Sequence, residues 1–421
     1  MNKAFINKLS KKGFFHIFFS NVFNKIIQFL TSIVIVKFLT KEEYGIFSYA
    51  MNILSLFLIL NGLGVTSGFL QFGSESYKDK NLQKSYFKYA LTVGILFNFL
   101  ISFAIFIYSQ FFSLPIKGSI VVLKYMSLIP IITIIYELIQ TYYRVNLRNK
   151  IYSYTYSLNT FLYFILSIIG AYYLKINGII LGRYFAYIIA ILFSIWYLKD
   201  DIRDIFYIKY PQKNLRVDFF KYSFVSSLTN SISSILYLID TFLVGLIIKN
   251  AEITASYKAA TLIPFALNFI PLSVMTFAYP YIVQNNKDKA YLKKYYFKLK
   301  KYLLLLNSLI SLFLILFAPF IIKIMFRSDY TDSVLPFQIL SFGYFIAGSF
   351  RIPNGNFIAA IKKLKVNLIV SIISGSANII LDIILIYYYG STGAAVATVG
   401  VFVISSLLSE LYLWRYFKVS H

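Results

Sequence analysis

An all-α membrane protein of about twelve transmembrane helices in two six-helix bundles is the fold class this sequence predicts. Three observations carry that expectation. First, 59% of the 421 residues are hydrophobic and 14% are charged, whereas a soluble domain carries about a quarter charged residues. Second, apolar runs of the roughly 20 residues needed to cross a bilayer follow one another almost without pause. Backbone polar groups in hydrocarbon must be paired within the chain, so these runs should be helices. A lipid-facing barrel would alternate apolar and polar residues, and the stretch 303–322 does not. Third, the basic residues gather in alternate loops, as the topology of a multi-span protein requires.

The runs place span 1 at 14–39, span 2 at 45–70, span 3 at 86–112, span 4 at 120–143, span 5 at 151–174 and span 6 at 178–198. Spans 7 to 9 follow at 219–248, 254–283 and 296–325, and spans 10 to 12 at 333–361, 366–389 and 391–414. The N-terminus, the loops 72–88, 144–150, 199–221, 284–301 and 362–365, and the C-terminal tail together hold about 29 Lys and Arg. The opposite loops hold about six. Positive residues stay on the cytoplasmic side, so both termini are expected there. Lys3, Lys8, Lys11 and Lys12 precede the first apolar run as in a signal peptide. No small-residue cleavage site follows, so the run reads as an uncleaved first helix.

Composition also excludes functions. The net charge of +25 falls in the membrane loops rather than on a basic stripe of a soluble domain, which argues against nucleic acid. There is no Cys, hence no disulfide or thiolate site. The only two His, His16 and His421, lie at the chain ends, so neither a metal cluster nor a Ser-His-Asp arrangement can be built. No phosphate-binding glycine loop of the ATP-driven pumps is present. An enzyme is not expected, and neither is a cofactor beyond a coupling ion, H⁺ or Na⁺.

The chain repeats itself. Glu42, Gly45, Tyr49 and Ala50 at the junction of spans 1 and 2 correspond to Glu252, Ala255, Ala259 and Ala260, 210 positions later. Asn177 to Gly182 at span 6 corresponds to Thr392 to Ala397 at span 12, with an offset of 215. Six crossings return the chain to the same side, so the halves should share one orientation, as parallel repeats do in transporters. The expected organisation is a bundle over 1–198, a charged cytoplasmic linker over 199–218 containing Pro211, and a bundle over 219–421.

The stretch KFLTKEEYGIFSYA from Lys37 to Ala50 resembles the opening signature of the polysaccharide-export flippases. These are the Wzx-type members of the superfamily that also holds the MATE exporters and the lipid II flippase. Asn61-Gly62-Leu63-Gly64 resembles the glycine-bearing end of their second helix, and IDTFLVG from Ile239 to Gly245 with Ala255 to Ala260 resembles their helices 7 and 8. Ala377 to Asp382 and Gly390 to Thr398 resemble their C-terminal signature. The resemblance implies a MATE-like, V-shaped pair of bundles that opens alternately to either side. It implies a partner as well: a polyprenyl-pyrophosphate-linked oligosaccharide, moved across the bacterial cytoplasmic (inner) membrane for capsule, O-antigen or another surface polysaccharide. Membrane lipids and other polysaccharide assembly proteins are further expected partners. Lipid II flippases usually carry two more helices than the spans found here, which favours the capsule or O-antigen type.

Moving a diphosphate through hydrocarbon requires cations or hydrogen-bond donors in a water-filled cavity. Lys25 lies mid-span 1, and Asn21, Lys25 and Gln28 share one helix face. Lys25 therefore reads as a cavity cation, or else as a snorkelling or paired lysine. Arg351 in span 10 stands by Pro353, Asn354, Gly355 and Asn356, a polar and breakable piece of helix that suits either substrate contact or a hinge. Lys258 and Arg183 lie about one turn inside spans 8 and 6 and read as further cavity cations for substrate, or else as residues close enough to an interface to snorkel. By resemblance, cavity cations fall on helices 1, 2 and 8. Lys25 and Lys258 are the nearest counterparts, and span 2 has none in its interior. The embedded acids Asp240, Asp382, Glu137 and Glu410 could couple H⁺ or Na⁺ to transport or simply pair with a neighbouring base. Asp240 matches a family position. The many aromatics, 37 Tyr and 43 Phe, mostly serve packing and interfacial belts. A MATE-like exporter of small organic cations is the alternative, although its cavity should be acidic. A membrane glycosyltransferase or polymerase is a weaker one, since the external loops are too short to carry a catalytic centre.

Overall fold

The computed structural model describes residues 14–285 and 288–418, and the regular structure among them is entirely helical. The basic N-terminal residues Lys3 to Lys12 and His421 lie outside the described residues. Helix α1 spans Phe14–Phe38. Thr40 caps α2, Lys41–Phe57, by accepting from Glu43 N at 3.1 Å while the Glu43 carboxylate accepts from Thr40 N at 2.8 Å. The run 45–70, expected as one helix, is interrupted in its middle. Gly62, Leu63 and Gly64 take φ of 55°, 51° and 75°, so α2 stops and α3, Val65–Glu75, starts after an irregular turn over 58–64. Two glycines and an Asn within four residues are a breaker signal, and Gly62 N donates to the buried Asn98 Oδ1 at 2.8 Å.

The first half continues with α4 (Lys80–Phe111), the pair α5 (Ser119–Tyr125) and α6 (Ile129–Val145) bent by 47°, and α7 (Asn149–Tyr207). α8 is Lys213–Ile248. The second half holds α9 (Ala251–Ala266), α10 (Phe269–Gln284), α11 (Lys289–Leu316), α12 (Ala318–Phe326), α13 (Val334–Ile346), a π-helical turn at Ala347–Arg351, α14 (Ile352–Ala360) and α15 (Leu364–Lys418).

Both long helices double back. At Lys175 the backbone takes φ 53°, ψ −129°, and a Cβ built on Gly178 would fall on the carbonyl oxygen of Gly170. In a straight helix those residues would lie about 12 Å apart along the axis. Gly390, at φ 59°, ψ −138°, reverses α15 in the same way, with Gly393 against the Leu385 carbonyl. Among the described residues eight helical segments are long and apolar enough to cross a membrane, or nine when the bent pair counts as one span. In that count α7 and α15 each stand as one segment, although each doubles back into two limbs.

The chain divides into two compact units, Met1–Ile235 and Leu236–His421. The division falls within α8, later than the charged stretch 199–218. Close packing explains why: Gly64 and Gly68 leave no room for a Cβ beside Ser223 of α8, which draws the first turns of α8 into the first unit. The charged stretch is itself clamped to that unit. Lys84 pairs with Asp201 at 3.1 Å and Asp204 at 2.7 Å, and Lys88 donates to the carbonyls of Phe206 and Ile208 at 2.6 and 2.8 Å. The Lys84 ammonium holds the Asp204 carboxyl below its ordinary pKa. The first core centres on Phe69, Phe87 and Tyr142, with ring centroids 5.1 Å and 4.8 Å from Phe87. The second centres on Tyr296, Phe357 and Phe417.

Candidate functional site

In the first unit, α1 carries three distinct faces. Ser20, Asn24 and Thr31 are buried, with Ser20 Oγ donating to the Ser153 carbonyl of α7 at 3.2 Å. Phe23, Ile26 and Leu30 are exposed, as a lipid-facing surface would be. Asn21, Lys25 and Gln28 are also exposed but on the opposite side from those apolar residues. Lys25 has no hydrogen-bond or ion-pair partner among the described residues.

Glu137 and Arg183 both belong to the same unit, each held by uncharged neighbours. Glu137 is exposed on the otherwise well buried α6 and accepts from Asn61 Nδ2 at 2.8 Å. Asn61 in turn accepts from Asn98 at 2.6 Å, so the interruption after α2 is tied to this acid. The Arg183 guanidinium lies 4.9 Å from the Tyr163 ring centre, bonds to Tyr187 and reaches the Met51 sulfur at 3.6 Å. Tyr187 stands edge-on to Tyr136 at 5.4 Å.

The second unit gathers Asp240, Asp382, Lys258 and Arg351. Asp240, 3% exposed, accepts from Thr398 at 2.6 Å, from Tyr257 at 3.1 Å and from Asn378 at 3.1 Å. Asn378 also donates to Asp382 Oδ2 at 2.9 Å, bridging the two acids. The other oxygen of Asp382 is buried with no hydrogen-bond partner among the described residues. Arg351 sits in the π-helical turn with its guanidinium 5.0 Å from the Phe402 ring centre. Together with Asp240, Asn378 and Thr398 it borders a small cavity flanked by Phe265 and Phe402. Lys258 is half-buried and within electrostatic reach of Asp240.

Asn354 is placed differently. It is fully buried, donates to Ser409 and Glu410 at 3.2 and 3.0 Å and accepts from Tyr296 at 2.7 Å. Glu410 pairs with Lys300, so the acid has the neighbouring base that the structural reading of it requires. The geometry makes Asn354 part of a strut between α11, α14 and α15 rather than an open wall.

Sequence reasoning did not single out Asn378, Thr398 and Tyr257 as the partners of Asp240, or Tyr163 and Tyr187 as those of Arg183. One signal was available: Asn378 and Asp382 are spaced i, i+4 and so face the same way. Nothing in the sequence alone picks Tyr163 from the other tyrosines.

A family model described as polysaccharide biosynthesis protein matches residues 10–286. A Shigella flexneri protein named for a proposed role as an O-antigen transporter is 26% identical over 247 residues, which span 57% of each chain. In three dimensions the chain is similar to the lipid II flippase MurJ in an inward closed conformation, with TM-score 0.77, 18% identity and coverage of 94% of this chain and 87% of that one. It is also similar to a multidrug resistance MATE transporter in an inward-facing conformation, with TM-score 0.73, 14% identity and coverage of 94% and 96%. A transporter from Pyrococcus furiosus whose binding pocket is of reverse polarity gives TM-score 0.64 at 14% identity, over 96% and 95% of the two chains. These proteins are transporters and flippases, not enzymes.

Proposed function

Because the chain belongs to the polysaccharide biosynthesis protein family, we propose that it moves polyprenyl-pyrophosphate-linked oligosaccharides across the bacterial cytoplasmic membrane by alternating access. Family membership on a MurJ- and MATE-like fold is the observation that carries this reading. The chain would cross the bilayer about twelve times with both ends in the cytoplasm, α7 and α15 each contributing a hairpin of two crossings. Lys25, with Asn21 and Gln28, is the contact for the diphosphate: an exposed cation set away from the apolar surface of α1. Lys258 and Arg351 are the cations of the second half.

The Asp240–Asp382 pair is the coupling element. Two carboxylates joined through one amide are stable together when a proton or a cation offsets their charge. The Asp382 oxygen with no partner among the described residues, with Asn378 bridging to Asp240, offers the oxygen-rich setting that a proton or Na⁺ would take. Arg351 borders the same cavity, so charge on the acids is felt by a residue proposed to meet substrate.

Complementation of a capsule or O-antigen flippase deletion tests the reading, with wild type compared to Lys25→Ala at matched membrane levels. Restored surface glycan with wild type and its loss with Lys25→Ala are expected. Failure of wild type across several glycan hosts would favour a MATE-like exporter of organic cations. Rescue by both proteins would keep the flippase and remove Lys25 from the substrate path.

A further inference from the structure

The first unit holds a second polar surface that neither the diphosphate nor the coupling ion needs. Two groups meet there: Asn61 bonds to Glu137, and Arg183 lies by Tyr163 and bonds to Tyr187, whose ring packs at 5.4 Å on Tyr136, the residue before Glu137; none of the five is wholly buried. No ion pair joins Glu137 to Arg183 among the described residues. A charged pair kept only for structure would neutralise itself. Here each charge is held by uncharged neighbours and keeps bonding capacity. Among the described residues Glu137 has one side-chain donor, Asn61, on a carboxylate able to accept about four bonds. Arg183 lies 4.9 Å from the Tyr163 ring centre, bonds to Tyr187 and reaches the Met51 sulfur, which leaves further N–H donors of its rigid fork.

Those features select a ligand. A lipid tail is excluded, because it would leave a carboxylate and a guanidinium unsatisfied. A phosphate is opposed by the Glu137 carboxylate. A pyranose ring fits both requirements: its hydroxyls donate to Glu137 and accept from Arg183, and its C–H face packs on a tyrosine ring. Tyr163 presents such a ring beside the donor fork. The interruption over 58–64 matters too, because Asn61 aims its amide at Glu137 from a turn whose other end is pinned by Asn98.

We propose that this wall is a saccharide subsite, taking a neutral, hydroxyl-rich sugar ring of the carried glycan while Lys25 holds the diphosphate. The proposal rests on the flippase reading and adds to it a division of labour: charge recognised on α1, sugar recognised between the interruption of α2, α6 and the two limbs of α7.

Proteoliposomes containing the full chain test it with two fluorescent probes. One is a polyprenyl diphosphate without sugar. The other is the same lipid bearing neutral hexose and N-acetylhexosamine trisaccharides. Glu137→Gln, which keeps shape, and Tyr163→Leu, which removes the ring, should slow the glycan-bearing probe about tenfold relative to the bare carrier. Lys25→Ala should slow both probes alike. Equal slowing of both probes by Glu137→Gln and Tyr163→Leu, or no slowing by either, overturns the subsite while leaving the flippase intact. A wild type that moves neither probe removes the flippase reading, and the subsite with it.

Discussion

The acids of the two halves are held in opposite ways on the same backbone plan. Asp240 in the second half is buried and accepts from three side chains, whereas Glu137 in the first half is exposed and accepts from one. The plan itself is duplicated closely. Leu147 and Lys362, 215 positions apart, take φ of 55° and 62° after equivalent helices. The closing bonds match as well: Arg148 N to Tyr143 O at 2.8 Å and Lys363 N to Ile358 O at 3.0 Å. Asp79 and Asp288 cap equivalent helices through Leu82 N and Tyr291 N at 3.0 and 2.9 Å. Turns and caps have been kept across the repeat while the interior side chains have diverged. Such a repeat supplies a scaffold, and each half can then carry different chemistry.

Removing the acids should separate the halves most strongly. Asp240→Ala takes the acceptor from the Tyr257 hydroxyl and from one amide hydrogen of Asn378, while Thr398 can still donate to the Ala394 carbonyl at 3.0 Å; each buried donor left unsatisfied costs about 1–3 kcal/mol. A loss of about 3 kcal/mol or more is expected, read as a large fall in the thermal midpoint in detergent. Glu137→Ala removes one exposed hydrogen bond and should cost about 1 kcal/mol or less. Equal falls would break the contrast between a sealed and an open acid. Asp240→Asn keeps the shape and removes the charge, so transport should lose its response to pH or Na⁺. Unchanged transport at every pH and Na⁺ concentration would remove Asp240 from coupling.

The hairpins give a second comparison. Lys175 and Gly390 share nearly one conformation, φ 53°, ψ −129° and φ 59°, ψ −138°, which is glycine territory and strains an L residue by about 1–3 kcal/mol. Gly390→Ala should therefore destabilise by about 1–3 kcal/mol, even though its Cβ would meet only Ile248 Cδ1 at 3.9 Å. Lys175→Gly should move the other way, by about 1 kcal/mol at most, because glycine's greater unfolded freedom offsets part of the relief. It also gives up the bond from Lys175 Nζ to the Phe38 carbonyl at 3.3 Å. Paired thermal unfolding of the two variants checks the opposite signs.

The hairpins also show what the sequence could and could not disclose. Span boundaries near 175 and 390 were legible because short polar or glycine interruptions separate long apolar runs, and the two offsets of about 210 and 215 anticipated the shared backbone plan. The break inside 45–70 was signalled by Asn61-Gly62-Leu63-Gly64 but outweighed by the apolar run around it. Hydropathy averages over a window and does not register a turn of seven residues. At the sites, Asp240 and Asp382 stood out because charges are rare in apolar runs. Their partners did not, since Asn378, Thr398 and Tyr257 become special only through contacts made between distant helices. Asn354 illustrates the converse: a polar residue beside Pro353 and Gly355 resembles a cavity lining until its neighbours Tyr296, Ser409 and Glu410 are seen to surround it.

The smallest difference expected between the halves lies at the caps of their second helices. Thr40 and Asn250 are 210 positions apart, and both begin a helix at the junction that the repeat marks. Thr40 takes part in a reciprocal pair with Glu43 at 3.1 and 2.8 Å. Asn250 accepts from Ile253 N at 3.1 Å and has no acidic residue returning the bond, since position three of its helix is Ile253. Replacing either cap by Ala should cost about 1 kcal/mol. Glu43→Ala should cost a few tenths of that more in the Thr40→Ala-free background than in the Thr40→Ala one, about 0.5 kcal/mol of coupling within the capping box. A double-mutant cycle on thermal unfolding measures it. Coupling near zero would mean that the carboxylate of Glu43 acts only through the helix dipole, which Glu252 supplies equally at the start of the second-half helix, and the two junctions would then be energetically alike.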